Sequence, residues 1–484
     1  MCGVLFVRSA SAIPLERHLA AVETLRPRGP DFVRYQHKNN IFIAQTVLRI
    51  TGTDDYYNQT HSDFLSYNGE IYNYRRFGNY SSDTECMHRA VTRNSKQFQY
   101  FEGPWAWAWT DFETVLYAAD PQGERCLYHY QDDNILIVAS EVTAILSYVN
   151  AAQVNVPYVN KCWTMISATP WQGITRCEPG MMYRDGQPLR QLDSVFDWIS
   201  DPTDLTLDQA LTRFEQLWDY VCSSMRTEQP ATLSYSGGID SQLISRHVSN
   251  LEHLAIDISG KDPIVDSLDC TKITVDAQQW AQHYRELIKS TQMPAQTWSY
   301  VGKWLVSKHA SNRIVFTGLA ADELFGGYGL YQTIDYSIDQ SHSPYSANDH
   351  EGLWQRCLSA YKGDPRPATL LMDYWYQVVG VDAPGLDRLG GHWGRETRNP
   401  FMHRQIIEFA LNLPWYLRVG QNPKQLLTAF YQRTIGKPIR PKQGFAGHAN
   451  DSLPWLGVNI TESGDRYQDW KQIAQQTFSN YTKA

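Results

Sequence analysis

The chain has 484 residues and a mass of 55.6 kDa, more than one hydrophobic core usually organises, so two domains, or three, are expected. Forty-three basic against 51 acidic residues leave a formal charge of −8, which favours solubility and gives no general attraction to nucleic acid or to an anionic membrane. The longest apolar runs, such as Asn134 to Ser140, are strand-sized and far short of the roughly 20 residues of a membrane-spanning helix, so neither a nucleic-acid nor a membrane partner is expected.

The opening run "GVLFV" lacks a basic leader and a cleavage site and does not read as a secretory signal. Leu15, Leu19, Val22 and Leu25 then recur at helical spacing. Strand-like runs follow, rich in Tyr, Trp, Val and Ile and separated by Asn, Asp and Gly, as antiparallel sheets require. In "PWAWAWTD", Trp105, Trp107 and Trp109 alternate with alanines, which reads as a strand packing one face on a core. A connection rich in Asp and containing Pro202 precedes a helix expected from Leu205 to about Met225. Beyond it, "ATLSYSGG" before "SQLISRHVSNL", and "RIVFTGLAADELFGG", have the strand-loop-helix form of an α/β layer. The last part of the chain is helix-rich and aromatic, and no internal repeat is evident.

Eight cysteines at positions 2, 86, 126, 162, 177, 222, 270 and 357 form no CxxC pair and no dense framework. This pattern points to a reducing, cytoplasmic setting with free thiols and no structural zinc.

Two strings carry chemistry in the second half. "SGGIDS" places Ser236, Gly237, Gly238, Asp240 and Ser241 between a strand and a helix. There the glycines let the backbone approach a ligand, and the N–H groups offer an anion site. An ordinary capped turn would use the same residue types, but the whole string resembles the SGGxDS pyrophosphate loop of the ATP pyrophosphatase superfamily. By that resemblance Ser236 and Ser241 contact phosphate and Asp240 helps to hold Mg²⁺. A second loop, Thr317-Gly318-Leu319-Ala320-Ala321-Asp322-Glu323, supplies Asp322 as a second carboxylate for the same hard cation.

The first half gives Cys2 a set of partners. "MCG", "RPRGPD" from Arg26, "LRI" at Arg49, "NGEIYNY" from Asn68, "SDTE" from Ser82, "DPQGERCLYHY" and "VASEVTAIL" occur in an order that resembles the class II glutamine amidotransferase domain of the asparagine synthetase family. The resemblance covers essentially the whole chain. It implies an N-terminal Ntn-hydrolase-like antiparallel β-sandwich with helices (αββα, residues 1–195). An α/β doubly wound parallel-sheet ATP-pyrophosphatase domain with a helical C-terminal part would follow (205–484).

The chemistry is intelligible from the residues themselves. Removal of Met1 is favoured by the small second residue and would leave Cys2 with a thiol and a free α-amine that serves as its base. The thiolate attacks the side-chain amide of glutamine, and the Asn68 amide and the Gly69 N–H are candidate oxyanion donors. Arg49 can pair with the glutamine α-carboxylate, while Glu70 and Asp83 accept from its α-ammonium, as the matching family positions do. The resemblance also implies ATP as co-substrate, with Thr317 and Gly318 at the nucleotide. Aspartate is implied as the default small carboxylate acceptor, and Lys442, in "RPKQGF", contacts phosphate and stabilises developing charge. "ETRNPF" resembles a further family segment through Glu396, Arg398, Pro400 and Phe401.

The family loop typically reads Ser-Gly-Glu-Gly-Ser/Ala-Asp-Glu, and here Leu319 replaces the first glutamate. Leucine can neither take a proton nor hydrogen-bond, which motivates a second reading: the same machinery amidating a sugar acid, a peptide or another metabolite. Two half-reactions imply an internal route for ammonia, and the reading leaves room for a homodimer.

Overall fold

A computed structural model describes residues 1–51, 62–149, 152–161, 167–200, 204–257, 269–297, 299–332, 351–439, 453–456, 458 and 466–483. These residues form three sheets. The strands are β1 (Gly3–Ser9), β2 (Phe32–Lys38), β3 (Ile41–Val47), β4 (Phe64–Gly69), β5 (Trp105–Thr110), β6 (Val115–Ala119), β7 (Tyr128–Gln131), β8 (Ile135–Ala139), β9 (Ile174–Arg176), β10 (Met181–Arg184), β11 (Gln187–Gln191), β12 (Ala231–Ser234), β13 (Leu251–Asp257), β14 (Thr271–Thr274), β15 (Ile314–Phe316) and β16 (Glu396–Arg398).

The first two sheets are antiparallel, in the orders β2-β3-β1-β8-β7-β9 and β11-β10-β6-β5-β4. Between them lies a core that sets Val4, Phe6, Ile41 and Ile43 against Ala106, Ala108, Val115 and Tyr117. The tryptophans alternating with those alanines point the other way. Trp105 and Trp107 are buried with Met87, Ala90 and Phe98 beneath the helix Asp83–Thr92. The strand therefore buries both faces, where alternation alone predicted one, because a helical layer covers the second sheet as well. On the outer face of the first sheet sit the helices Leu15–Leu25 and Val142–Leu146, burying Ala21, Val22, Leu25, Val142 and Ile145. The layer order is helix, sheet, sheet, helix.

The third sheet is parallel, in the order β14-β13-β12-β15-β16. The helix Leu207–Ser224 precedes it, with Thr206 and Gln209 closing a capping box. Strand order reverses between β12 and β15, so the crevice at their carboxyl ends is the ligand site expected of an open α/β sheet. The loop after β12 leads into the helix Ile239–His247, the loop after β15 is Thr317 to Ala320, and β16 runs into Asn399. A π-helical segment, Tyr374–Asp382, and the helix Ala383–His392 lie against the first half of the chain. No described helix is long and apolar enough to cross a membrane.

Candidate active sites

The first site forms where β1 begins. Cys2 N donates to Asn68 Oδ1 at 2.9 Å, and Cys2 Sγ lies 4.0 Å from Leu48 O. Asn68 sits on β4 opposite Ala106 and is fully buried. Its Nδ2 makes no hydrogen bond to a described residue. Because Oδ1 is engaged by the Cys2 N–H, the amide orientation is set, and Nδ2 is left as an open donor next to Cys2. Gly69 follows, where an added Cβ would stand 2.4 Å from Pro104 O and 2.7 Å from Trp105 Cα. Only glycine lets β4 pass so close to β5. Burial raises the Cys2 thiol above its ordinary value and lowers the preceding Met1 amine to about 6.

Glu70 and Asp83 line the same pocket. Glu70 Oε1 accepts from Thr51 Oγ1 at 2.7 Å, and Asp83 Oδ2 accepts from the Tyr67 hydroxyl at 2.9 Å and from Ile71 N at 3.3 Å. Burial, and next the Asp83 charge, lift Glu70 to about 8; burial lifts Asp83 to about 6 against its hydrogen bonds. Two neighbouring carboxyl groups raised in this way would be stabilised in their charged forms by a cation placed between them. Arg49 emerges from the turn after β3, with its N donating to Asp31 Oδ2 at 2.7 Å and its guanidinium 5.5 Å from the Phe32 ring. It borders a cleft of about 440 Å³ shared with Asp31, Ile50, Gln229 and Arg313. Arg313 closes a fork on Asp31 at 2.6 and 2.8 Å, which ties the start of β15 to the turn that carries Arg49.

The second half of the chain reaches further into this pocket than the motifs indicated. Arg398 Nη2 on β16 lies 3.6 Å from Glu70 Oε2 and 2.9 Å from Glu396 Oε1. Behind Cys2, Arg28 Nε donates to Cys2 O at 2.9 Å, its Nη2 pairs with Asp387 Oδ1 at 2.9 Å, and its Nη1 bonds Glu141. Arg125 Nη2 donates to Thr397 O at 3.2 Å. Glu124 Oε2 accepts from Asn399 Nδ2 at 2.7 Å, and Asn399 Oδ1 from Thr317 Oγ1 at 2.5 Å. The motifs flagged Glu396 and Arg398 without placing them, and Glu124 and Asn399 carried no signal of their own.

The second site occupies the β12/β15 crevice. Gly237 has φ +70°, a left-handed conformation glycine supplies without strain. Ser236 Oγ accepts from Gly238 N at 3.3 Å and stands 3.3 Å from Ser241 Oγ, which donates to Gly238 O at 3.1 Å. The hydroxyls thus line the loop interior above the helix start. Gly318 brings the β15 loop against this one: a Cβ there would lie 2.9 Å from Asp240 Cβ. Thr317 Oγ1 accepts from Leu319 N at 3.3 Å, and Leu319 packs its side chain on the core.

Asp240 and Asp322 converge, but on a residue the sequence reading missed. Lys424 Nζ sits 2.6 Å from each Asp240 oxygen and 2.9 Å from Asp322 Oδ1, and the two carboxylates outweigh burial and hold the ammonium well above its usual value. Lys424 lies in a turn in the left-handed conformation (φ 52°) just before the helix Gln425–Thr434, a setting with no sequence signature. Glu323, buried beside Asp322, is raised to about 7 by burial and that charge. Lys442 lies outside the described residues.

A family model described as Asparagine synthase matches residues 215–457, half of the chain, and one described as Glutamine amidotransferase domain matches residues 1–190. The chain belongs to the asparagine synthetase family. Asparagine synthetase [glutamine-hydrolyzing] 3 of Bacillus subtilis is 22% identical over 83% of this chain and 78% of its own length. Asparagine synthetase B [glutamine-hydrolyzing] of Escherichia coli is 23% identical over 85% and 75%. Among solved structures, a glutamine phosphoribosylpyrophosphate amidotransferase from B. subtilis complexed with ADP and GMP aligns at 15% identity over 60% of this chain and 79% of that one, with a TM-score of 0.30. As a family member this chain is a glutamine-hydrolysing, ATP-dependent amide ligase with an N-terminal Ntn amidotransferase fold.

Proposed function

We propose that residues 1–195 hydrolyse glutamine and residues 205–484 activate a carboxylate for amidation. The observation that carries this reading is the pairing of Cys2 N with Asn68 Oδ1, which leaves Asn68 Nδ2 open next to Cys2. Once Met1 is removed, the Cys2 amine takes the thiol proton and the thiolate attacks the glutamine side-chain carbonyl. Asn68 Nδ2 and Gly69 N–H receive the oxyanion, ammonia leaves, and water cleaves the thioester to glutamate. Arg49 holds the substrate α-carboxylate, and Glu70 with Asp83 its α-ammonium, whose arrival returns both carboxyl groups to their charged forms.

In the second half, the acceptor carboxylate attacks the α-phosphorus of ATP and pyrophosphate leaves on Ser236, Gly237, Gly238 and Ser241. Thr317 and Gly318 border the nucleotide, and Lys442 stabilises the developing charge. Ammonia then attacks the acyl carbon, AMP leaves, and one proton is released. Asp240 and Asp322 suit a hard cation that also carries phosphate and water, since Asp240 turns both oxygens toward one point and Asp322 joins it there. Mg²⁺ bound between them would neutralise the phosphates. Lys424 would then exchange the carboxylates for phosphate.

Aspartate is the first acceptor to test. A second reading keeps every step but changes the acceptor to a sugar acid, peptide or other metabolite, and Leu319 favours it, because an apolar side chain on the core stands where the family loop has a carboxylate. A carboxylate panel scored for glutamine-dependent AMP and pyrophosphate, with product mass, separates the two. Saturable aspartate use supports the first, and turnover of another acid with none of aspartate supports the second. A cytoplasmic setting and a homodimer belong to the same proposal; seven described cysteines are free, as a reducing compartment favours.

A further inference from the structure

Arg49 stands two residues past the end of β3, beyond the last ladder pair of that strand with β2, Val47 with Phe32. A long side chain on an exposed turn sweeps a wide volume, whereas a two-point grip on a carboxylate needs a fixed base. The structure supplies that base from outside the turn. Asp31 Oδ2 accepts from Arg49 N at 2.7 Å, and Arg313 Nη1 donates both to that oxygen at 2.6 Å and to Arg49 O at 3.1 Å. The ring so formed engages the N–H and the C=O of Arg49 together, which restrains both of its soft backbone dihedrals. Arg313 Nη2 closes the fork on Asp31 Oδ1 at 2.8 Å, so the guanidinium itself is held in one plane. One residue further on, Gln229 Nε2 donates to Ile50 O at 3.0 Å.

Both outside donors belong to the second half of the chain, and both stand on firm ground. Gln229 lies two residues before β12 and Arg313 one before β15. Ala231 pairs with Ile314, so the two side chains leave neighbouring parallel strands at the amino edge of the third sheet. Arg313 O also accepts from Glu396 N at 2.7 Å, which fixes its backbone to β16. A surface ion pair is the plain alternative for Arg313 and Asp31, whose side chains are 40% and 21% exposed. Pairs so exposed add little to stability, so stability alone does not account for a ring closed around one peptide. That peptide belongs to the residue assigned to the glutamine α-carboxylate, and Asp31, Arg49, Ile50, Gln229 and Arg313 line one cleft of about 440 Å³.

We propose that Arg313 and Gln229 are positioning residues for glutamine: reaching from the second half, they fix the Arg49 peptide and so set how firmly the first half holds its substrate's α-carboxylate. Glutamine affinity then depends on side chains that the first half does not contain. Neither residue makes or breaks a bond, so their loss acts on binding and spares the chemistry at Cys2. The inference rests on the glutaminase role proposed above and on Arg49 as the carboxylate-binding residue.

The test separates KM from kcat. Arg313→Met keeps an unbranched side chain and removes the fork; it should raise KM for glutamine by about tenfold, with kcat for glutamate release within about twofold of wild type. Ammonia-driven synthesis, measured with the carboxylate that the acceptor panel identifies, should also stay within about twofold. Arg313→Lys keeps the charge without the fork and should recover part of the loss in KM. Gln229→Ala removes one exposed amide and nothing from the core, and should raise KM by about threefold. In an Arg49→Met background, Arg313→Met should change KM by less than about twofold, because the residue it positions is gone. An unchanged KM in both Arg313→Met and Gln229→Ala overturns the inference, as do additive effects in the double variant. A parallel fall in the ammonia-driven rate overturns it too, because it would report damage to β15 and the Thr317 loop. Arg49→Met with an unchanged KM instead removes Arg49 from glutamine binding, and a wild type that hydrolyses no glutamine defeats the proposed function itself.

Discussion

Lys424 Nζ lies 2.6 Å from each carboxylate oxygen of Asp240, and this ammonium links the β12 and β15 loops through Asp322, beyond the point where the two strands pair. A monovalent charge thus stands between the two carboxylates proposed to hold a divalent one. Lys424→Met should leave the carboxylates facing each other and lower the melting temperature in chelator. Because both are about one-fifth exposed, the loss should be near the low end of the roughly 3–5 kcal/mol seen for broken buried pairs. Millimolar Mg²⁺ should restore most of that loss in the variant and shift wild type little. No Mg²⁺ effect in the variant would contradict a cation site at Asp240 and Asp322.

The glutamine pocket predicts an acid limb. With Glu70 at about 8 and Asp83 at about 6 in the free protein, protons occupy the two carboxylates proposed to bind the substrate ammonium as pH falls. Protonated, they lose their attraction for the substrate, so kcat/KM for glutamine should rise with pH across that interval while kcat changes less. Glu70→Gln should raise KM and remove the upper part of the limb. A profile unchanged by the variant would separate Glu70 from substrate binding.

Asp387 has no exposure and faces Arg28 at 2.9 Å and Arg125 at 3.9 Å, both buried. Asp387→Ala leaves two guanidinium groups in the interface, Arg28 with Glu141 and Arg125 with Glu396 and Glu124 as remaining counter-charges. We expect a loss of about 3–5 kcal/mol in urea unfolding, or separate transitions for the two halves. A loss under about 1 kcal/mol would show that water enters the interface and screens it.

Glu124 makes stability depend on pH in a direction opposite to the usual carboxylate. Its unfolded form titrates near 4.5 and burial raises the folded form to about 8, so the folded state binds more protons between these values. Stability from this group is complete below the first value and is lost as pH rises through the second. Gln at this position keeps an acceptor for Asn399 Nδ2 and cannot titrate. The melting temperature of Glu124→Gln relative to wild type should therefore climb between about pH 5 and about pH 8, by on the order of 2 °C. A constant difference would mean that Glu124 is ionised in the folded protein throughout.

Much of this architecture was legible in the sequence because it rests on local signals. The strand–glycine–helix form of "SGGIDS" and the period of "WAWAW" report backbone geometry and burial directly, and Cys2 and Asn68 meet because β1 and β4 belong to facing sheets. What stayed hidden depends on contacts between distant segments. Lys424 reaches Asp240 from 184 residues away, and Arg398 approaches Glu70 only because β16 is the edge strand turned toward the other half. The Trp105 face packs on a core as expected, but the burial of the alanine face went unread for a similar reason, since alternation of large and small residues does not show that a second layer covers the other side.

The most direct test of the account is the nitrogen source used by Cys2→Ala. AMP and amide formation are followed with glutamine and, separately, with ammonium salt, after mass measurement has shown whether Met1 is absent. The account predicts that the variant loses glutamine-driven synthesis by at least about a thousandfold, as expected for loss of a nucleophile, and keeps the ammonia-driven rate within about twofold of wild type. Glutamine-driven synthesis that survives the substitution, or a folded variant that has lost both activities, would contradict it.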